Sequence, residues 1–203
     1  MRFFLDGTEW NFPHIDSLSR EEQLDALRER VAAEDRVIVD MLSDGESLDE
    51  KDLLTVPDGI DVDVITDTAW GVGLEILDEV KNSLTSIFKD LQTILDGSQI
   101  FEHTMLDGVR GQLDWIRDAL NSFPDAYPEY DGALPDVEPL HEAVDVFERL
   151  LSDGRYAEAN DWHEEEWKKD VLPPFLDRLN GLREWLELEN SKDCGESEER
   201  KRR

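Results

Sequence analysis

A single cysteine, Cys194, stands in this chain of 203 residues, so no internal disulfide can form and nothing calls for an oxidising compartment. Basic residues are also scarce. Against 51 Asp and Glu there are 21 Lys and Arg, a formal net charge of -30. A phosphate backbone is met by Lys and Arg, so this balance excludes direct nucleic-acid binding. No apolar run approaches the roughly 18 to 20 residues that cross a bilayer, and so negative a surface is repelled by anionic headgroups. The opening MRFFLDGTEW turns acidic after a short apolar stretch, unlike a secretory leader. The expected location is the cytoplasm, with no membrane partner. A Gly-x-Ser-x-Gly elbow, a Gly-rich phosphate loop and a dinucleotide fingerprint are all missing. What is present is apolar content at 39%, with six Trp and eight Phe, enough to build a core. The acidity therefore belongs to a folded surface.

Residues 1–67 read as a small α+β domain. Arg2 to Leu5 and Glu9 to Phe12 flank Asp6-Gly7, the dipeptide that supplies positive φ in a tight hairpin. Ser19 with Glu22 three residues later forms a capping box for a helix over Arg20 to Ala33, its apolar face carried by Leu24, Leu27 and Val31. Arg36 to Leu42 reads as a strand ending at the turn Ser43-Asp44-Gly45-Glu46. Asp61 to Asp67 alternates carboxylate and apolar residues with period two, the pattern of a half-buried strand. The order strand, strand, helix, strand, strand, with a hairpin before the helix, resembles the β-grasp (ubiquitin-like) layout. That resemblance implies a mixed sheet with one helix across it. The domain runs on through Asp67-Thr68-Ala69-Trp70 without a Gly-Gly terminus, which argues against a transferable modifier.

From Thr68 the period lengthens to three and a half, and residues 68–189 are expected to form an antiparallel four-helix bundle. Trp70, Leu77, Leu84 and Leu91 are spaced by seven, as are Val80, Ile87 and Ile94. A second stripe holds Leu106, Val109, Leu113, Ile116, Leu120 and Phe123 and ends at Pro124, although Gly108 and Gly111 lie within it. The third holds Val137, Leu140, Val144, Phe147 and Leu151. The fourth spans about Arg155 to Glu189, with Pro173-Pro174 expected to kink or split it. Residues 190–203 carry no apolar face and read as a disordered charged tail.

Candidate chemistry is sparse. Glu138-Pro139-Leu140-His141 matches the Glu-x-x-His pair of di-iron bundles once, but its register puts Glu138 outside and His141 beside the seam. His103 falls past the edge of its stripe, His163 precedes Glu166 in reversed order, and His14 is in a loop. All four histidines are thus expected off the core, with no metal and no cofactor. Calcium loops fail as well, because the first position would be Tyr127, or Leu53 or Leu54. Trp162 and Trp167 lie five apart on the fourth helix, a spacing that directs one to the core and the other to the surface as an anchor for a partner. The alternative is that both close the end of the bundle. Tyr127 and Tyr130 sit in the longest connection, Pro124 to Asp136, which is either a functional loop or a plain crossover. Leu150 to Ala159 resembles the turn of a tetratricopeptide unit, yet it occurs once and reads as a helical hairpin.

The expected function is a non-enzymatic adaptor or chaperone-like protein. Its partner would be another protein, basic or amphipathic, bound in the bundle groove or at the sheet edge. The alternatives are a small-molecule or metal-dependent enzyme within the bundle, and an acidic mimic of nucleic acid that occupies a basic protein. The last would need a carboxylate stripe, and carboxylates here are spread over every element.

Overall fold

The computed structural model describes residues 1–12, 15–55, 57, 59–96 and 102–201, with the side chains at 16, 50, 102–103 and 193–201 excepted. The fold is mixed α and β. Two compact units share the chain, Met1–Val72 and Gly73–Arg203.

The first unit is a five-stranded sheet with a helix across one face. Strands β1 (Arg2–Leu5) and β2 (Thr8–Glu9) form the expected hairpin, with Asp6 and Gly7 at φ 46° and 79° as such a two-residue turn requires. The second strand is shorter than the expected Glu9 to Phe12. Trp10 donates its N–H to Phe3 O (2.8 Å) and then leaves the ladder, packing its ring against Phe3 and Phe12. Helix α1 (Arg20–Ala32) opens on the capping box: Glu22 N–H donates to Ser19 Oγ, and Ser19 N–H donates to the Glu22 carboxylate at 2.7 Å. It buries Leu24, Leu27 and Val31. Strand β3 (Arg36–Ser43) turns through Asp44-Gly45 into a two-residue β4 (Glu46–Ser47). A short helix α2 (Glu50–Thr55) follows. Its start is a carboxylate-only capping box in which Asp52 N–H donates to Asp49 and Asp49 N–H to Asp52.

Strand β5 (Asp61–Thr68) is central, and the sheet order is β2-β1-β5-β3-β4. β5 runs parallel to β1 and antiparallel to β3, with Val39 as an extra residue at a bulge between Ile38 and Asp40. Its period-two pattern places Val62 and Val64 inside against Phe3, Leu27 and Leu53, and Asp61, Asp63 and Ile65 outside.

The second unit is helical. Helix α3 (Ala69–Leu95) carries the heptad positions inward: Leu77, Val80, Leu84, Ile87, Leu91 and Ile94 are buried, and Trp70 is half-buried. α4 (Glu102–Asn121) buries its expected stripe and turns Gly108 and Gly111 to open space, where glycine leaves no packing gap. Phe123 and Pro124 begin a short α5 (Phe123–Ala126) where an end was expected. α6 (Glu138–Ser152) lies antiparallel to α4, with Arg110 bridging Asp145 and Glu148 and Asp114 near His141.

The fourth segment departs from expectation. It consists of α7 (Tyr156–Trp162), a π-helical stretch over His163–Val171, and α8 (Leu172–Lys201). Pro173 and Pro174 occupy the first turn of α8, and the disturbance lies in the turns before them. A proline supplies no N–H, so the ladder ahead of it must be re-closed. Here Leu172 N–H reaches Trp167 O, an i to i−5 bond. Phe88 against His163, Asp78 paired with Arg183 and Gly73 beside Leu186 set this segment antiparallel to α3. Residues 190–201, expected as part of a disordered charged tail, instead continue helix α8 to Lys201, with the side chains at 193–201 outside the described residues.

Candidate functional site

The aromatic residues singled out in the sequence come together in two places within the helical unit. Trp162 and Trp167 are both buried, Trp167 completely, with ring centroids 6.0 Å apart and Trp162 also tilted on Phe147 at 5.4 Å. The divergent directions expected from five-residue spacing do not occur. The stretch between them is π-helical, and five residues there span about one turn, so both rings share a face. Tyr127 and Tyr130 bracket Trp185 of α8 at 6.2 and 5.1 Å, Tyr127 buried and Tyr130 half-buried. Burial raises the Tyr127 phenol above its ordinary value, only partly offset by the Gly73 backbone. The connection from Pro124 to Asp136 is therefore held to α8 by its tyrosines, and Arg178 donates to Leu134 O.

The histidine expectation needs one correction. His163 is fully buried, its ring stacked on Phe88 at 4.6 Å, because the wide π turn carries it inward with Trp167. Burial pushes its imidazole below the usual range. Glu164, 3.6 Å from Nδ1, and the Phe88 backbone oppose that shift, while Lys168 reinforces it. His141 is half-buried near Asp114 and Glu138 is exposed, as their register implied. His14 and the His103 side chain lie outside the described residues. Among the described residues no three His, Cys, Asp or Glu side chains converge as a metal cluster.

An open concavity lies in the sheet unit. A groove of about 500 Å³ runs between α1 and the outer edge of β3, floored by Leu24, Val31, Ile38, Met41 and Leu48. β5 flanks β3 along its length, whereas β4 covers its other edge at Leu42 and Ser43 only. Leu48 N–H reaches Met41 O, and the Asp40 carboxylate accepts from Met41 N–H and from Ser47, which closes that end. Arg36 to Val39 thus has a strand neighbour on one side. On the outer sheet face Val37, Val39 and Ile65 are 39%, 45% and 39% exposed. The groove's charges balance, Arg28 and Arg36 against Asp40 and Asp49. Arg36 is engaged by Thr66 and Asp6.

A smaller cavity of about 280 Å³ lies over that last cluster. Burial raises the Asp6 carboxyl, but the Thr66 N–H and hydroxyl, helped by Arg36, outweigh it and hold Asp6 below its ordinary value. No family model, curated protein or solved structure matches the chain.

Sequence reasoning missed the β3 groove, although a signal was there. Arg36-Val37-Ile38-Val39-Asp40-Met41-Leu42 is apolar on both faces, the pattern of a strand covered on two sides, whereas Asp61 to Thr66 alternates. A strand that reads as internal yet sits next to the edge is short of a neighbour.

Proposed function

We propose that this protein is a non-enzymatic adaptor that binds another protein through its N-terminal sheet unit. The carrying observation is the outer β3 edge, which among the described residues β4 pairs at Leu42 and Ser43, with apolar side chains on both sheet faces and a preformed groove beside it. Such an edge recognises main chain by hydrogen bonds and side chains by pockets. The charge of -30 supplies steering toward a basic partner.

Two architectural readings accompany the proposal. The sheet order β2-β1-β5-β3-β4 with β1 and β5 parallel supports a β-grasp-like first unit. The antiparallel pairs α4 with α6 and α3 with α8 support a four-helix bundle in the second. The single cysteine supports a cytoplasmic setting.

Affinity purification of the full chain from its native cell at low salt tests the function. The expected outcome is a stoichiometric protein partner that dissociates as salt rises. Recovery of this chain alone, together with a small molecule or metal that raises its Tm, would overturn the reading.

A further inference from the structure

We infer that the groove between α1 and β3 accepts an added β-strand from the partner, a run of about four to five β-branched residues flanked at both ends by Lys or Arg. This rests on the adaptor reading and specifies what the partner must present.

Three features of the edge define the occupant. The first is the backbone. Because β4 pairs only with Leu42 and Ser43, and the Asp40 carboxylate and Leu48 close the ladder at Met41, the free length is Arg36 to Val39. A helix would leave these peptide groups unpaired, whereas an extended segment pairs them.

The second is the pair of faces. Successive side chains of an added strand point to opposite sides. On one side they meet Leu24, Val31 and Leu48 in the groove, and on the other they lie beside Val37 and Val39. An alternating polar segment would satisfy one side only. A continuous β-branched run satisfies both.

The third is charge. Exposed carboxylates stand before β3, Asp35 together with Glu34, which Arg30 already pairs, and at the β4 turn beyond it, Asp44 and Glu46, while the charged side chains lining the groove between them balance. A segment pairing with Arg36 to Val39 ends beside Asp35 on one side and short of the β4 turn on the other, so basic flanks are attracted directly at the first end and at longer range at the second, and acidic flanks are repelled at both. The same repulsion disfavours a second copy of this chain, which carries the same carboxylates at the same places.

The probe is a fluorescent nonapeptide of five Val and Thr residues with two Lys at each end, and its control carries Glu in place of Lys. Titrated against the full chain, the Lys peptide is expected to bind saturably and at least tenfold more tightly than the Glu peptide. It should weaken as salt rises from about 0.02 M to about 0.5 M. Amide exchange at Val37 to Asp40 should slow on binding. The double variant Val37→Asp and Val39→Asp separates docking from steering. It adds charge of the attractive sign, so electrostatics alone tightens binding, whereas strand addition predicts a loss of at least tenfold. Both positions are exposed, and an unchanged Tm confirms that the fold is kept. Leu188→Asp on α8 should leave the affinity unchanged.

Absence of peptide binding, binding that the double variant leaves intact or strengthens, or helix formation in the bound peptide would overturn the inference. A dimer of the wild-type chain that the double variant dissociates would overturn it in favour of self-association. A partner purified equally well by wild type and double variant would reject this groove and leave the adaptor reading standing.

Discussion

Among the described residues of the sheet unit the buried polar side chains are Gln23 and Thr66, and each is engaged by hydrogen bonds. Gln23 donates to Ile15 O and Leu18 O and accepts from Arg20, while Thr66 exchanges four bonds with Asp6 and Arg36. In the helical unit the situation is reversed. Among the described residues Gln112 Oε1, His141 Nε2, both ring nitrogens of His163 and Trp167 Nε1 are buried with no partner at hydrogen-bond geometry, Glu164 standing 3.6 Å from His163 Nδ1. A buried donor or acceptor left in this way costs about 1–3 kcal/mol. The sheet unit is thus satisfied within and open at its edge, and the helical unit keeps unsatisfied polar atoms in its interior. The proposed docking surface lies in the open unit in keeping with this contrast. The aromatic cluster, distinctive as it looks in sequence, is the interior that stabilises the other one.

The sharpest way to break this comparison is to remove the largest of those interior rings. Trp167→Ala deletes a fully buried indole packed on Trp162, and a loss of about 3–5 kcal/mol is expected by urea unfolding. Trp167→Phe separates the ring from its N–H. It keeps most of the packing and removes an orphaned donor, so it should cost less than about 1.5 kcal/mol. If Trp167→Ala left stability unchanged but abolished partner capture, the tryptophans would be the docking site and the contrast would fail.

Next in size is Gly73→Ala on α3. A methyl there would meet the Tyr127 hydroxyl at 2.5 Å and Leu186 at 3.2 Å, so Tyr127 must give way. Overpacking of this kind costs about 1–3 kcal/mol. The variant should lower Tm and raise the exposure of Tyr127, measured by its fluorescence quenching. An unchanged Tm would show that the loop is only loosely held.

These residues also show what a sequence can disclose. The heptads of α3, α4 and α6 were legible because an α-helix at constant pitch converts spacing directly into facing, and Leu77, Leu113 and Phe147 are buried as their spacing implies. His163 was illegible for the same reason. The sequence shows only its reversed order relative to Glu166, while the pitch that carries it inward widens ahead of Pro173, with nothing in His163 to Val171 that announces a π turn. Helix α2 was hidden by composition. Asp49 and Asp52 act as caps, but in a chain with 51 carboxylates two more carry no signal. The open edge of β3 lay between these cases, since the two-faced apolar run was visible and the shortness of its neighbour β4 was not.

A smaller effect is expected from the network of the sheet unit. Asp6→Asn keeps the shape but replaces the carboxylate that accepts from Thr66 N–H, the Thr66 hydroxyl and Arg36. The side chain is partly exposed, so solvent screening holds the loss to about 1 kcal/mol. The sign with pH follows from the lowered carboxyl. Its stabilisation is present above the ordinary Asp value and disappears as pH falls through the lower folded value. The wild type should therefore lose more stability than Asp6→Asn on acidification in that range, and parallel acid titrations would remove the network from the account.

The smallest effect near neutrality belongs to His163. Its imidazole is held below its unfolded value by burial, so around pH 7 and above it is neutral in both states and contributes no pH slope. As pH falls below about 6.5 the unfolded chain takes up a proton that the folded chain refuses, and stability declines until the folded value is reached. His163→Leu removes this slope and two orphaned nitrogens together. It should match the wild type within about 1 kcal/mol at pH 8 and exceed it at pH 5. Urea unfolding at the two pH values decides the matter. A wild type as stable relative to the variant at pH 5 as at pH 8 would mean that His163 can accept its proton in place, with Glu164 close enough to serve as its counter-ion. The interior of the helical unit would then be as well satisfied as that of the sheet.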